Sequence, residues 1–228
     1  MNIRNIFQSL LAIAIGTSAG YSSAAEPDAN LKNLMVVLRE SEGDNIKDVA
    51  LKPMGSAKAT LSDGKEVEIS VAWFSFIGDM HIRFVYDSPS SMRNLTSEEF
   101  KALKLKPDEA LRVAVSNIKR VYGSPKASPW DGGLMVVTGE SSDLDSSYFL
   151  DSAFWKNLIK KYPDGLVVGV PKRGGLLFAP ASDSKAVAGL RRSIGALFIS
   201  SENMRISSAL YLFKDNHWSV FQDPLAQP

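Results

Sequence analysis

The sequence predicts an α+β fold in which an antiparallel or mixed sheet, built from hairpins, is packed by three or four helices. Turn signals at residues 63–64, 172–175 and 214–216 each separate two apolar or alternating segments, which is typical of hairpins. Helical periodicity falls between the hairpins and does not follow every strand. The regular strand–helix alternation of a doubly wound parallel sheet is therefore not expected.

The first half of the chain is predicted to hold one helix and a three-stranded meander. Apolar residues recur at i, i+3, i+4 and i+7 between residues 28 and 40, which predicts a helix. Residues 57–61 and 67–76 flank an Asp-Gly turn, and the second of these segments alternates apolar with polar residues. Residues 81–86 are expected to form the returning strand.

The second half is predicted to alternate helices with strands and hairpins. Thr96 and Glu99 have the spacing of a capping box, and Pro107 and Gly123 mark the start and the end of a longer helix. The remaining expected elements are a short central strand at 134–138, a helix at 148–162, hairpin strands at 166–171 and 176–179, a helix capped at 182–184, and hairpin strands at 208–213 and 217–221.

Residues 1–25 have the three parts of a secretory signal peptide. Arg4 is the one charged residue of this segment, residues 6–15 are mostly apolar, and Ser23-Ala24-Ala25 offers the small residues that signal peptidase accepts. The apolar part has about half of the ~20 residues that a membrane-spanning helix needs. We therefore expect cleavage after Ala25 and export to a bacterial periplasm or beyond, with no stable membrane anchoring afterwards.

Residues 26–228 are expected to form one domain, or two packed halves with a break near residues 88–94. The chain has 26 Lys and Arg against 25 Asp and Glu, so its near-neutral charge argues against nucleic acid as a partner. The absence of cysteine excludes disulfides and thiolate chemistry, and two histidines are too few for a multi-histidine metal site. We expect no metal and no cofactor.

Three short motifs in the C-terminal half resemble the YtpQ-like family of bacterial proteins. The motifs are Glu109-Ala110-Leu111 with Ala114 and Asn117-Ile118, the run from Asp145 to Leu150, and Pro171-Lys172-Arg173-Gly174-Gly175-Leu176-Leu177-Phe178. Their order and spacing agree over roughly residues 105–220. The resemblance implies a shape and no chemistry, because the function of that family is unknown. The signal peptide and residues 26–90 depart from it.

The turn of the second hairpin is the leading candidate for a binding site. Gly174 and Gly175 expose backbone amides, Arg173 presents a planar fork suited to carboxylate or phosphate, and Lys172 adds positive charge. Together these residues predict a site for an anionic group. The alternative is an ordinary Gly-Gly hairpin turn preceded by two solvated cations.

Other candidate residues are more easily explained by structural roles. Asp131, Asp143 and Asp145 lie in loops at opposite ends of the 134–138 strand and are not expected to converge, and Asp145 or Ser146 is expected to cap the following helix. Trp130, in a loop rich in Pro and Gly, is a candidate interface residue or a lid on the core. The mature chain has no Gly-x-Ser-x-Gly, Walker A or His-Glu-x-x-His motif.

These observations favour an exported binding or accessory protein without a catalytic site, whose partner is a small anionic ligand or another protein. Two alternatives stay open. One is a hydrolase-type enzyme that uses Asp and Ser residues near Arg173. The other is a structural protein that self-assembles through an exposed sheet edge.

Overall fold

A computed structural model describes residues 30–47, 49–60, 63–89 and 91–225. The predicted signal peptide lies outside the described residues. The helices and strands, in chain order, are β1 (Leu34–Glu40), β2 (Lys52–Pro53), β3 (Ser56–Thr60), β4 (Glu66–Ser70), β5 (Trp73–Ser75), β6 (Met80–Asp87), β7 (Met92–Asn94), α1 (Ser97–Ala102), α2 (Pro107–Tyr122), β8 (Lys126–Pro129), β9 (Met135–Thr138), α3 (Ser152–Leu158), β10 (Leu166–Lys172), β11 (Gly175–Pro180), α4 (Ser184–Ser200), β12 (Leu210–Lys214) and β13 (His217–Gln222).

The strands form two principal sheets and a separate ribbon, and every pairing between named strands is antiparallel. The first sheet has the order β1-β6-β5-β2, with β7 also paired to β6. The second has the order β13-β12-β10-β11-β9-β8, and β3 pairs with β4 alone. The helix α2 packs on β1 of the first sheet and α4 packs on β10 and β11 of the second, which confirms the predicted α+β class.

The predicted helix over residues 28–40 is wrong, because residues 34–40 form β1. This strand pairs with β6 from Leu34↔Tyr86 to Glu40↔Met80. Leu34–Leu38 is uninterrupted apolar sequence and is buried on both faces. Such a run satisfies helical spacing and strand burial equally well, so periodicity alone misassigns it. The adjacent β-branched Val36 and Val37 favour the strand.

The segment predicted as one strand at 67–76 is divided between two sheets. β4 belongs to the exposed two-stranded ribbon, and its partly buried positions, Val67 and Ile69, face no core. After Val71 the chain continues as β5, which pairs with β6. The Asp-Gly hairpin and the returning strand are therefore confirmed, whereas the single continuous meander is not.

The later elements follow the sequence closely, with two changes: Lys126–Pro129 forms β8, where no strand is predicted, and α3 begins later than expected. Thr96 and Glu99 form the predicted capping box, α2 runs from Pro107 to Tyr122, and Asp183 caps α4. The predicted helix at 148–162 begins only at Ser152, because residues 145–150 form 3₁₀ turns. Its cap is Asp151, which accepts hydrogen bonds from the Ala153 and Phe154 amides, and not Asp145.

The second sheet is covered on both faces. α4 covers one face, where Leu190 and Ile194 pack in a small apolar cluster with Val167 and Leu210. The other face contributes to a large core that also contains the buried residues of β1 and β6. In that core, Phe149 stacks on Trp218 with ring centroids 4.1 Å apart. Both halves of the chain thus share one apolar interior.

Gly78 lies where the turn before β6 meets β12. Its φ is +67°, a conformation that favours glycine, and it pairs with Ile46 through an isolated bridge. A Cβ placed on Gly78 would lie 2.4 Å from the Tyr211 hydroxyl oxygen. This close approach brings the backbone of the first sheet against the second.

We predict that Gly78→Ala lowers the free energy of unfolding by more than about 2 kcal/mol, because the variant combines backbone strain with overpacking against Tyr211. Gly64→Ala is the matched control, since Gly64 has a similar φ of +83° and no atom within 4 Å of its added Cβ. The control should lose only about 1 kcal/mol. Urea unfolding of both variants measures the difference, and equal losses would contradict the close packing of Gly78.

Candidate anion-binding site

The pairing of β1 with β6 places two arginines and a histidine on one face of the first sheet. Arg39 lies directly opposite His81, and Val37 lies opposite Arg83. Residues that face each other across antiparallel strands, and residues two apart along a strand, share a face. Arg39, His81 and Arg83 are therefore neighbours at one end of the sheet. His81 and Arg83 are both buried, and burial is unusual for an arginine.

Arg173 reaches this end of the first sheet from the turn between β10 and β11. Its backbone is held on both sides: the amide donates to the Met204 carbonyl, and the carbonyl accepts from the Ser146 amide, each at 3.1 Å. A nearby contact between the halves is the ion pair of Arg205 Nε with Glu40 Oε2, at 2.7 Å. The predicted binding turn is thus fixed beside the strand that carries Arg39.

The three guanidinium groups are close enough to repel one another. Burial, and then the positive charges of Arg173 and Arg83, lower the pKa of Arg39 to about 9. Burial and the charge of Arg173 lower the pKa of Arg83 to about 10, and burial also lowers the pKa of Arg173. All three remain protonated at neutral pH. We call Arg39, Arg83 and Arg173 the arginine cluster.

No acidic side chain among the described residues forms an ion pair within 4.0 Å of the arginine cluster. Arg39 Nη1 donates to the adjacent Leu38 carbonyl at 2.7 Å, and Arg83 lies over the Trp73 ring at 5.5 Å. In the part of the chain that the structure describes, the Nε of Arg173 is buried without a hydrogen-bond partner. Buried charges and donors in proteins normally have partners, so these groups favour an anion.

A surface pocket of about 400 Å³ opens at Arg173. Its walls are the turn of the second hairpin, the loop between β9 and α3, and the end of α4; the lining residues are Ser142, Asp143, Lys172, Arg173, Gly174, Ser200, Ser201 and Met204. A pocket of this volume suits a small molecule. Its lining includes three of the four residues that the sequence proposes for anion binding.

In this turn a glycine is needed at position 174 for close packing, and neither glycine is needed for an unusual backbone conformation. Neither Gly174 nor Gly175 has a φ in the left-handed region. A Cβ on Gly174 would lie 3.2 Å from the carbonyl oxygen of Ser142, whereas one on Gly175 would meet nothing within 4 Å. Gly174 therefore lets the turn pack against the loop that carries Asp143.

Asp143 is the acidic residue associated with this site. It is exposed, lines the pocket with Arg173, and its negative charge raises the pKa of both Arg39 and Arg173. Asp145 points elsewhere: it is buried and accepts a hydrogen bond from the Gly139 amide at 2.7 Å. Asp131 does not line the pocket, and Trp130 is 49% exposed in the loop before β9.

His81 is neutral and both of its ring nitrogens are engaged. Burial, followed by the charges of Arg83 and Arg39, lowers its pKa to about 3. Its Nε2 accepts from Arg83 Nε at 2.9 Å, so Nδ1 carries the proton and faces Ser41 Oγ at 2.9 Å. The serine is the acceptor in this pair. A general base would need a free lone pair directed at the hydroxyl proton.

Arg173 is a site candidate from its sequence, whereas Arg39, Arg83 and His81 are not among the predicted site residues, although the structure places them near it. The sequence pattern predicts a helix at Arg39 and a strand at Arg83. The available signal was an arginine within each of two apolar strands, at Leu38-Arg39 and Ile82-Arg83-Phe84. A charge in a buried strand needs a partner or a function.

The chain matches no protein-family model, no curated protein and no solved structure. Among the described residues, no helix is long and apolar enough to cross a membrane. In the same residues, no group of three or more His, Asp or Glu side chains is placed to hold a metal ion.

A second polar network lies near this site, between the two sheets. Asp79 Oδ1 accepts hydrogen bonds from the Ser207 hydroxyl and, at 3.0 Å, from the Tyr211 hydroxyl. Burial raises the pKa of Asp79 to about 6, against the opposing effect of these two hydrogen bonds; the charge of Glu40 raises it further. A raised carboxyl pKa means that the folded protein binds a proton more readily than the unfolded chain.

We therefore predict that Asp79 makes folding less favourable as the pH rises from its unfolded pKa of 3.8 through 6. Asp79→Asn retains the accepting oxygen but cannot ionise. Its free energy of unfolding relative to the wild type should increase by up to about 3 kcal/mol from pH 4 to pH 8. Urea titrations across this range test the trend, with Asp164→Asn, at an exposed position, as the control. A pH-independent difference for Asp79→Asn would contradict it.

Proposed function

We propose that this protein is an exported binding or accessory protein whose arginine cluster takes up a small anionic ligand. The observation that carries the proposal is the convergence of Arg39, Arg83 and Arg173 without an ion-pairing carboxylate among the described residues. Mutual repulsion and desolvation make this arrangement costly in the absence of a ligand. A bound anion would offset that cost, and the site would therefore be selective for anions.

The charge of the site favours a dianion. Lys172 and Arg173 line the pocket with one carboxylate, that of Asp143, and the charge of Arg173 acts on Arg39 and Arg83 in the first sheet. A phosphate monoester carries about −1.5 to −2 charges at pH 7 and three acceptor oxygens, which match several guanidinium donors. Chloride and monocarboxylates offer less charge and fewer acceptors.

The state of His81 supports binding over the hydrolase alternative. Its Nε2 lone pair is taken by Arg83, and its pKa of about 3 leaves it a poor base at neutral pH. The Ser41–His81 pair therefore lacks the orientation that activates a serine nucleophile. The hydrolase alternative would have to use other Asp and Ser residues near Arg173.

The outer strand β8 supports binding over the self-assembly alternative. This strand is one of the two edges of the second sheet, the other being β13, and it begins with exposed Lys126 and ends with Pro129. Lysine and proline are residues that oppose edge-to-edge pairing.

We expect inorganic phosphate to bind the purified protein in isothermal titration calorimetry at constant ionic strength, where chloride does not compete. Arg173→Ala should weaken this binding about tenfold or more, because a charge-assisted hydrogen bond contributes about 1.5–3 kcal/mol. Folding should be retained, since the backbone hydrogen bonds of residue 173 remain.

Arg112→Ala is the matched control for this experiment, because Arg112 is exposed on α2, outside the pocket lining. It should leave the phosphate affinity unchanged. Equal affinities for the wild type and Arg173→Ala, or no binding of any anion to the wild type, would overturn the proposed site.

Export is tested separately. When the full chain is expressed in a bacterium that has a periplasm, we expect the protein in the periplasmic fraction with Glu26 as its first residue. Intact-mass measurement of the purified protein identifies the cleavage position. Replacing Leu10 with Arg interrupts the apolar segment, so the uncleaved chain should then stay in the cytoplasm. An uncleaved cytoplasmic wild type would contradict export and would leave the anion site untouched.

A further inference from the structure

We propose that the ligand of this pocket is a small zwitterion, a phosphate monoester that also carries an ammonium group, and that Asp143 binds the ammonium. This inference rests on the proposed function and names the chemical class of its ligand. It is argued from the distribution of charge around the pocket, which has a positive side and a negative side.

The positive side of the pocket is the turn between β10 and β11. Lys172 and Arg173 line the pocket there, and Arg173 is near enough to Arg39 and Arg83 of the first sheet for its charge to lower the pKa of both. The buried Nε of Arg173 is a donor without a partner among the described residues. A phosphate group at this side would accept from the guanidinium donors.

The negative side has two independent components. The first is Asp143, which is exposed and forms no ion pair within 4.0 Å among the described residues, although Lys172 and Arg173 line the same pocket. The second is the end of α4, a helix of 17 residues whose last residue, Ser200, lines the pocket. A helix C-terminus carries a partial negative charge, and the last turn of α4 has no basic residue.

The free position of Asp143 distinguishes this arrangement from an ordinary surface ion pair. A carboxylate near several arginines would normally approach one of them, yet Asp143 acts on Arg39 and Arg173 only at longer range. Its loop is held in place by contacts of the backbone, because the Arg173 carbonyl accepts from Ser146 and Ser142 packs on Gly174. The walls of the pocket thus carry a carboxylate and two cationic side chains that form no ion pair with one another.

The dimensions and charge of the pocket select the proposed class. A volume of about 400 Å³ accommodates a phosphate and an ammonium joined by a short carbon chain. A simple anion would be attracted by the arginines but repelled by Asp143. A zwitterion would interact favourably with both, through its phosphate and its ammonium group.

The test compares two ligands that differ in the ammonium group alone, phosphoethanolamine and ethyl phosphate. In isothermal titration calorimetry at pH 7.5, the wild type should bind phosphoethanolamine about tenfold more tightly than ethyl phosphate. Asp143→Asn should remove this preference through two opposite effects. It should weaken the binding of phosphoethanolamine and strengthen the binding of ethyl phosphate. A general loss of binding would lower both affinities together.

Asp131→Asn is the control, since Asp131 is an exposed acid in the loop before β9 and does not line the pocket. It should preserve the preference. If ethyl phosphate binds but Asp143→Asn changes both affinities equally, or if the wild type shows no preference, the zwitterion inference fails while the anion site stands. If neither phosphate compound nor inorganic phosphate binds the wild type, the proposed function itself fails.

Discussion

The pairing of β1 with β6 is the constraint on which the rest of the structure depends. Its register buries five consecutive apolar residues, Leu34–Leu38, and fixes Arg39 opposite His81. A shift of this register by one residue would turn Arg39 toward the opposite face of the sheet. Apolar side chains of β1 would then lie on the face that carries His81. Burial of the apolar part of β1 is favourable, and it therefore holds the Arg39 side chain in a position that would be unfavourable for a charged group on its own.

The charged end of this strand pair lies where the two sheets meet. Arg173 approaches from the second sheet, Arg205 binds Glu40, and Asp79 accepts from Tyr211. Apolar packing elsewhere in the shared core stabilises the contact between the halves. The polar groups at the junction can therefore be arranged at some cost in stability, as the proposed anion site requires.

Elements with local signals could be predicted from the sequence, whereas long-range pairings could not. The capping box at Thr96, the proline at the start of α2 and the Asp-Asn turn at residues 215–216 encode their structures in a few neighbouring residues. β1 has no such signal, because its burial depends on β6, more than 40 residues later. The same limit applies to the site. The hairpin turn marks Arg173 as a candidate, but Arg39 and Arg83 are placed by the register of β1 against β6, which sequence spacing does not predict.

The charge pattern at the junction is also compatible with the proposed binding role, which needs no catalytic motif. Recognition of an anion requires donors held in place before the ligand arrives, and burial of Arg83 with its hydrogen bond to His81 supplies such fixation. In this arrangement His81 serves as an acceptor that orients Arg83, which is possible only while the imidazole is neutral. Burial, and then the positive charges of Arg83 and Arg39, keep His81 unprotonated. Burial and two arginines of the cluster therefore together maintain the protonation state on which the Arg83–His81 hydrogen bond depends.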